Sequence, residues 1–293
     1  MALTLTFLGS GTSAGVPMIG CECDVCRSDD PRDQRSRASV TLSWPDGKVP
    51  DGQRRLLIDT APEMRQQIIA AGINRIDGVL YTHTHSDHVV GLDDLRRFNA
   101  VMDQPLDLYA ESHAWHDLRR MFAYVFESGQ NPNRSFIPTL IPHKIEAEQA
   151  FEFHGATVTP LRLLHGKLKI LGFRVDLGDR SLAYCTDVSS IPPETWPYLQ
   201  DLDLLVMDAL RYRHHPTHMT VDQALAAIDQ AQPTQAVLTH IAHDIRHADL
   251  AGELPDGVDI AYDGLSITLD ANGPRTVTAD QSDVSAAGPS ISS

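Results

Sequence analysis

The segment His83-Thr-His85-Ser-Asp87-His88 holds four side chains that can bind a metal ion, all within six residues. The residues before it, Val79 to Thr82, are apolar or β-branched and predict a strand that ends at this segment. A tight loop at a strand end can direct the first two histidines at one ion, and the aspartate and last histidine at a second. Two ions roughly 3.5–4 Å apart can share a hydroxide and stabilise both oxygens of a displacement reaction. The segment therefore predicts a metal centre with two ions.

Three further candidate ligands each follow a predicted strand. His165 comes after a strand at 156–163, Asp187 after 181–185, and His240 after Ala236–Thr239. Loops at strand ends are where a rigid scaffold commonly carries its functional side chains. Taken alone, each of these residues is more often an ordinary polar loop residue, so their order along the chain matters.

That order, together with the His83–His88 segment, resembles the HxHxDH signature and the later ligands of the metallo-β-lactamase superfamily. The resemblance implies an α/β fold, the four-layer αββα sandwich. The implied ligands of one metal are His83, His85 and His165, and those of the other are Asp87, His88 and His240, with Asp187 bridging the two and taking part in catalysis. Asp59 resembles the aspartate that supports the ligand loop in this superfamily, although a turn residue is the alternative.

A second cluster contains three of the four cysteines, in the segment Cys21-Glu-Cys23-Asp-Val-Cys26. In a cytosolic chain such a cluster indicates a metal site more readily than a disulfide framework. Three thiolates can occupy three corners of a zinc tetrahedron, and the fourth ligand must come from elsewhere. Free or buried cysteines are the alternative, but a cluster this dense without a metal is prone to oxidation.

An N-terminal strand, a Gly-rich loop at residues 9–15 and then these cysteines also resemble the PhnP-like phosphodiesterases, the phosphoribosyl 1,2-cyclic phosphate phosphodiesterase type. The resemblance covers residues 1–269. In that family a histidine three residues after the last active-site histidine completes the structural zinc site, and His243 has that position after His240. We expect this zinc to hold the N-terminal loop against the loop of His240 and so to position that ligand.

The same resemblance assigns a catalytic role to His218. PhnP-like enzymes have a histidine that faces the substrate just before a helix, and His218 lies beside Thr220, the predicted cap of a helix that ends near Ala231. In that role His218 donates a proton to the leaving oxygen or a hydrogen bond to a phosphoryl oxygen. A histidine on a surface loop is the alternative interpretation.

Composition limits the partners and the location. The net charge of −15 argues against broad binding of nucleic acids or anionic membranes. A small anionic substrate remains compatible, because bound cations dominate the field inside a pocket. The chain shows no basic signal-peptide region and no apolar stretch of about 18 residues, so we expect a cytoplasmic protein without a membrane partner.

The domain prediction is one hydrolase domain over residues 1–269, with a Cys-rich structural zinc loop at 20–27. The tail, residues 270–293, has almost no large apolar side chains and is expected to be disordered. Two polar loops, 45–54 and 123–137, exceed the compact family pattern and bear on the shape of the pocket mouth.

These observations predict a metal-dependent hydrolase that cleaves a small cyclic or nucleotide-like phosphodiester with two divalent cations, zinc or manganese, besides the structural zinc. A tRNase Z-like RNA-processing nuclease is one alternative, which the negative charge and the cysteine cluster disfavour. A PqqB-type non-hydrolytic metalloprotein is a second, and a binding protein with a degenerate centre is a third, disfavoured by the complete ligand set. Family analogy leaves a homodimer open.

Overall fold

The computed structural model of the protein describes residues 1–127 and 136–277, so residues 128–135 and 278–293 lie outside the description. The strands are β1 (Leu3–Gly9), β2 (Ser39–Pro45), β3 (Gln53–Ile58), β4 (Gly78–Leu80), β5 (Leu106–Ala110), β6 (Leu140–Lys144), β7 (Phe151–Phe153), β8 (Ala156–His165), β9 (Leu168–Leu177), β10 (Arg180–Cys185), β11 (Leu204–Asp208), β12 (Gln235–Thr239), β13 (Val258–Ile260), β14 (Ser266–Asp270) and β15 (Gly273–Val277). The α-helices are α1 (Met64–Ala70), α2 (Ser86–Val89), α3 (Arg96–Met102), α4 (Ser112–Met121), α5 (Ala123–Phe126), α6 (Val221–Ala231) and α7 (His247–Glu253).

The strands form two mixed sheets. The first has the order β15-β14-β1-β2-β3-β4-β5-β6, and the second has the order β13-β12-β11-β10-β9-β8-β7. Strands β3 to β6 run parallel to one another, as do β10 to β13. Parallel strands need covered faces on both sides, and β11 (Leu-Leu-Val-Met-Asp) is accordingly buried along its whole length.

Three apolar clusters define four layers. The largest lies between the two sheets and joins residues such as Phe7 and Leu42 to Phe173 and Val206. A second cluster packs the outer face of the first sheet against α1, α3 and α4. A third packs the outer face of the second sheet against α6 and α7. The predicted αββα sandwich is confirmed.

The folded part extends beyond the predicted boundary at residue 269. Strand β15 pairs with β14 in an antiparallel hairpin, with Asp270 opposite Gly273 and Ser266 opposite Val277. The segment Gly273–Val277 contains a glycine, a proline and one large apolar residue, so its sequence gives little indication of a strand. The remainder of the predicted tail, from residue 278, lies outside the described residues.

The loop predicted at 123–137 begins instead with α5, whose Val125 is buried in the cluster under the first sheet. Its central part, residues 128–135, lies outside the described residues. Within the described part of the chain, no helix has both the length and the apolar character needed to cross a membrane.

Candidate metal centre

The seven predicted ligands of the metal centre come from one edge of the sandwich, where the parallel strands of both sheets have their carboxyl ends. His83, His85, Asp87 and His88 follow β4, His165 ends β8, Asp187 follows β10 and His240 follows β12. Crevices outside the carboxyl ends of strands are the usual ligand sites of open α/β sheets. The topology therefore brings residues far apart in sequence to one place.

These residues form two adjacent groups. In the first, His83, His85 and His165 each offer a ligand atom within 4.8 Å of the others. In the second, the same holds for Asp87, His88, Asp187 and His240. Asp187 faces two histidines at once, with Oδ2 at 3.3 Å from His88 Nε2 and Oδ1 at 3.4 Å from His240 Nε2. The structure thus brings together every side chain that the sequence assigned to this centre.

Several buried ring nitrogens of the centre have no hydrogen-bond partner among the residues that the structure describes. They are His83 Nε2, His88 Nε2 and both ring nitrogens of His240. Buried polar atoms are nearly always paired, so each unpaired one needs an explanation. Imidazole nitrogens together with carboxylate oxygens are the donor set that divalent metals such as zinc use. The residues present therefore fit divalent cations at this edge.

A chain of hydrogen bonds holds the histidines from behind. His88 Nδ1 donates to Asp59 Oδ2 (2.7 Å), and Thr82 Oγ1 donates to the same oxygen (2.7 Å). Because the Thr82 hydroxyl donates there, it can accept from His83 Nδ1 at 3.0 Å. His165 Nδ1 donates to the backbone oxygen of Thr217 (2.8 Å). These bonds keep the Nδ1 protons in place and leave the Nε2 atoms of these three histidines for a metal.

Electrostatics at the centre favour bound positive charge. Burial lowers the pKa of His83 and of His240, which favours the neutral imidazole that binds metals. Burial opposes charge on His88 too, but the Asp187 and Asp59 carboxylates prevail and raise its pKa. Burial would raise the pKa of Asp87 and Asp187, yet the neighbouring histidines lower both. Buried carboxylates held in the ionised form attract cations.

His218 lies at the rim of this centre. Its ring stacks on His240 with the centroids 4.7 Å apart and meets His165 edge to face at 4.6 Å. Its Nδ1 is 2.7 Å from Asp208 Oδ2. Burial raises the pKa of Asp208 and lowers that of His218, which favours the uncharged form of each group. Nε2 is the nitrogen that is left to act on a substrate.

Asp208 is a site residue that the sequence did not single out. It is fully buried at the end of β11, and the same oxygen that contacts His218 accepts the backbone N–H of Val188 (2.7 Å). The available signal was a carboxylate that ends an apolar strand, the same pattern as Asp59 after β3. No local motif distinguishes such a residue from a turn.

The four predicted zinc ligands also converge. Cys21, Cys23, Cys26 and His243 offer ligand atoms within 4.8 Å of one another, and none of the cysteines forms a disulfide. His243 Nδ1 is 3.2 Å from the Cys21 sulfur and 3.4 Å from that of Cys23. The backbone N–H of Cys26 donates to the Cys23 sulfur and, with other bonds, lowers the pKa of Cys23 to about 6. Burial raises the pKa of Cys26 to about 11.

Comparisons with known proteins give the family. The family model for the Beta-lactamase superfamily domain matches residues 54–241 of this chain. The crystal structure of a diphosphatase from the PhnP family is 39% identical, with a TM-score of 0.81, and the match covers 92% of this chain and 97% of that chain. The zinc-bound PqqB of Methylobacterium extorquens is 23% identical with a TM-score of 0.70, covering 91% of this chain and 99% of that chain, and shows likeness of fold alone.

A protein of Porphyromonas gingivalis named octanoyltransferase is 40% identical over 273 residues, which are 92% of this chain and 52% of that protein. This chain thus spans about half the length of that relative. The name octanoyltransferase belongs to that longer protein, and the activity it describes is not transferred to this chain.

Proposed function

We propose that this chain, which belongs to the metallo-β-lactamase superfamily and to its PhnP family, is a metal-dependent hydrolase of small phosphodiesters. The observation that carries the proposal is the convergence of seven metal-binding side chains, with unpaired buried ring nitrogens among them. The PhnP-family diphosphatase supports hydrolysis at phosphorus, because it matches nearly the full length of both chains.

The two groups of side chains would hold the cations. His83, His85 and His165 would bind one divalent ion, and Asp87, His88 and His240 the other, with Asp187 between them. Two such ions, zinc or manganese, supply positive charge for the phosphoryl oxygens and lower the pKa of a water to near neutral. Cys21, Cys23, Cys26 and His243 would hold a separate structural zinc.

His218 has the task of moving a proton. Asp208 orients the ring through Nδ1, and the Nε2–H is then free to donate to the leaving oxygen. The stacked His240 and the edge of His165 hold the ring against the centre. A histidine so placed protonates the oxygen as the bond to phosphorus breaks, or donates a hydrogen bond to a phosphoryl oxygen.

The substrate class follows from charge and resemblance. A net charge of −15 disfavours a long phosphate backbone, so a small cyclic or nucleotide-like diester is favoured over RNA. The carboxylates Asp87 and Asp187, whose pKa values are lowered, make the centre repel anions until cations bind. A substrate phosphate therefore needs the metal ions present.

Assays on the purified chain, loaded with Zn²⁺ or with Mn²⁺, test this proposal. We expect turnover of bis(p-nitrophenyl) phosphate and of a ribose cyclic phosphodiester, and loss of turnover in Asp187→Asn. Cleavage of a pre-tRNA in preference to both small diesters would favour the nuclease alternative. Bound iron with no diester turnover would favour a non-hydrolytic metalloprotein.

A further inference from the structure

Arg35 is a fully buried cation outside the candidate metal centre. Its Nη1 donates to the backbone oxygens of Ala242 (3.1 Å) and Ile245 (2.9 Å), and its Nη2 donates to Asp33 Oδ1 (2.8 Å). The side chains of both Arg35 and Asp33 are 0% exposed. Burial of an ion pair carries a large desolvation penalty, which the attraction between the two charges often does not offset. A gain in stability alone therefore does not explain this pair.

The two carbonyls that Arg35 contacts lie on either side of His243. The same loop begins with His240, so one short segment supplies a ligand to each of the two candidate metal sites. Asp33 also accepts the backbone N–H of His247 (2.7 Å), at the start of α7. The ion pair therefore contacts the loop after β12 at Ala242 and Ile245 and again at His247.

The backbone of Arg35 holds the other side of the cysteine cluster. Its N–H and carbonyl exchange two hydrogen bonds with Val16, both 2.8 Å long, and Val16 packs in the small cluster with Val25 and Cys26. One residue thus contacts the segment that carries the cysteines through its backbone and the loop of His240 and His243 through its side chain.

We propose that Arg35 is a positioning residue that couples the two metal sites. The guanidinium fixes the His240–His243 loop relative to the cysteine segment, so that a metal at the cysteine cluster holds His240 in place at the His/Asp centre. The fork of a guanidinium suits this task, because its separate N–H groups reach two carbonyls and a carboxylate at once. The inference rests on the proposed function in that it requires a divalent ion at the His/Asp centre.

Cobalt(II) binding tests the inference without an activity assay. Co²⁺ on thiolates absorbs differently from Co²⁺ on imidazole and carboxylate, so competition with a chelator reports the affinity of each site separately. We expect Arg35→Met to weaken Co²⁺ binding at the His/Asp centre about 10-fold or more, the range seen when groups behind metal ligands are lost. Arg35→Lys should have an intermediate effect, since one ammonium cannot span the same acceptors.

Two further variants separate positioning from stability. Asp33→Asn leaves the guanidinium on both carbonyls but weakens the contact at the end of the loop, so it should lower thermal stability and reduce the Co²⁺ affinity of the centre less than Arg35→Met does. Arg54→Met breaks a comparable pair with Asp77 at the opposite edge of the first sheet and should leave the affinity unchanged. If Arg35→Met does not fold, Arg35→Lys decides the question.

Wild-type Co²⁺ affinity in a folded Arg35 variant would overturn the inference, as would an equal loss in Arg54→Met. Absence of Co²⁺ from the His/Asp centre of the unmodified protein would instead refute the proposed function. The two failures therefore give different results.

Discussion

At the scale of single residues, the site depends on left-handed backbone at strand ends. Asp59, Asp187 and His240 have φ angles of 63°, 59° and 62°. Such conformations cost about 1–3 kcal/mol each for most residues and persist only where the surroundings impose them. At each position the turn brings the side chain to the metal centre directly after a β-strand. The strained backbone thus orients two proposed metal ligands, Asp187 and His240, and Asp59, which supports His88.

Part of this residue-scale picture could be predicted and part could not. The segment from His83 to His88 is recognisable because its ligands are adjacent in sequence. Asp208 and Arg35 are not, because their contacts with His218 and with the loop after β12 form only in the fold, and no local motif marks them. The family pattern supplied the positions of His165, Asp187 and His240, which the sequence places far apart.

Replacement of His218 tests the proton donor. His218→Ala should lower kcat by about 10²–10⁴-fold for a diester with an alkoxide leaving group, the range for a lost general acid. The loss should be much smaller for bis(p-nitrophenyl) phosphate, because p-nitrophenolate leaves without protonation. Metal content should not change. His214→Ala, an exposed histidine of the same loop, serves as the control.

Equal losses for both leaving groups in His218→Ala would contradict a role in proton donation. They would indicate that His218 binds the phosphoryl oxygens instead.

Replacement of Asp59 tests the support behind the ligands. Asp59→Asn lacks one of the two acceptor oxygens and can donate to His88 Nδ1, which would move the imidazole proton to the metal-binding nitrogen. We expect metal affinity to fall roughly 10–100-fold. Chelator competition measures the change. Asp107→Asn, which alters a similar bond to His143 near the surface, should leave affinity unaffected, and a matching loss there would refute this account.

At the scale of elements, the apolar spacing of Leu92, Leu95 and Phe98 predicts one helix from Asp87 to Asn99, and the structure interrupts it. The segment consists instead of α2, a 3-10 stretch at Val90–Leu95 and α3. A Cβ on Gly91 would lie 2.4 Å from the Ala61 carbonyl oxygen, so the chain passes very close to the loop after β3 at this point. The apolar residues keep helical spacing in this segment. The helix is nevertheless broken where Gly91 meets the loop after β3, a contact that the local sequence does not indicate.

The observed helix caps agree with the sequence pattern at α6 and differ from it at α4. Thr220 caps α6, as predicted, and it does so in a capping box with Gln223. The sequence also favours Ser112 as the cap of α4. In the structure Glu111 has the N-cap position and Ser112 is the first helical residue. A Ser before an apolar repeat does not fix the position of the first helical turn to within one residue.

These two residues form a matched pair for measurement. Thr220→Ala should reduce the free energy of unfolding by about 1 kcal/mol, because the N–H of Gln223 loses its partner. Ser112→Ala should change it little. Chemical denaturation of both variants checks the difference, and equal effects would show that the capping box does not stabilise α6.

At the scale of the whole molecule, two sheets direct the carboxyl ends of their parallel strands to one edge. The apolar layer between the sheets and the two helix-facing layers keep that edge rigid. Patterning and family resemblance were sufficient to predict this sandwich. The hairpin of β14 and β15 was missed because Gly273–Val277 has no strong apolar alternation and pairs with β14 at the edge of the first sheet.

The charge of the whole molecule also shapes the chemistry. We expect a chain of net charge −15 with buried carboxylates at one edge to bind cations there before it admits an anionic substrate. Metal occupancy should therefore precede substrate binding.

Elemental analysis of freshly purified, active protein tests whether the chain holds these ions. We expect three divalent ions for each chain, two at the His/Asp centre and one at the cysteines. Asp187→Asn should lose ions only from the His/Asp centre. Cys21→Ser should lose zinc from the cysteine cluster before the His/Asp centre loses ions. Active protein that contains no more than one ion, held by the cysteines, would contradict the account.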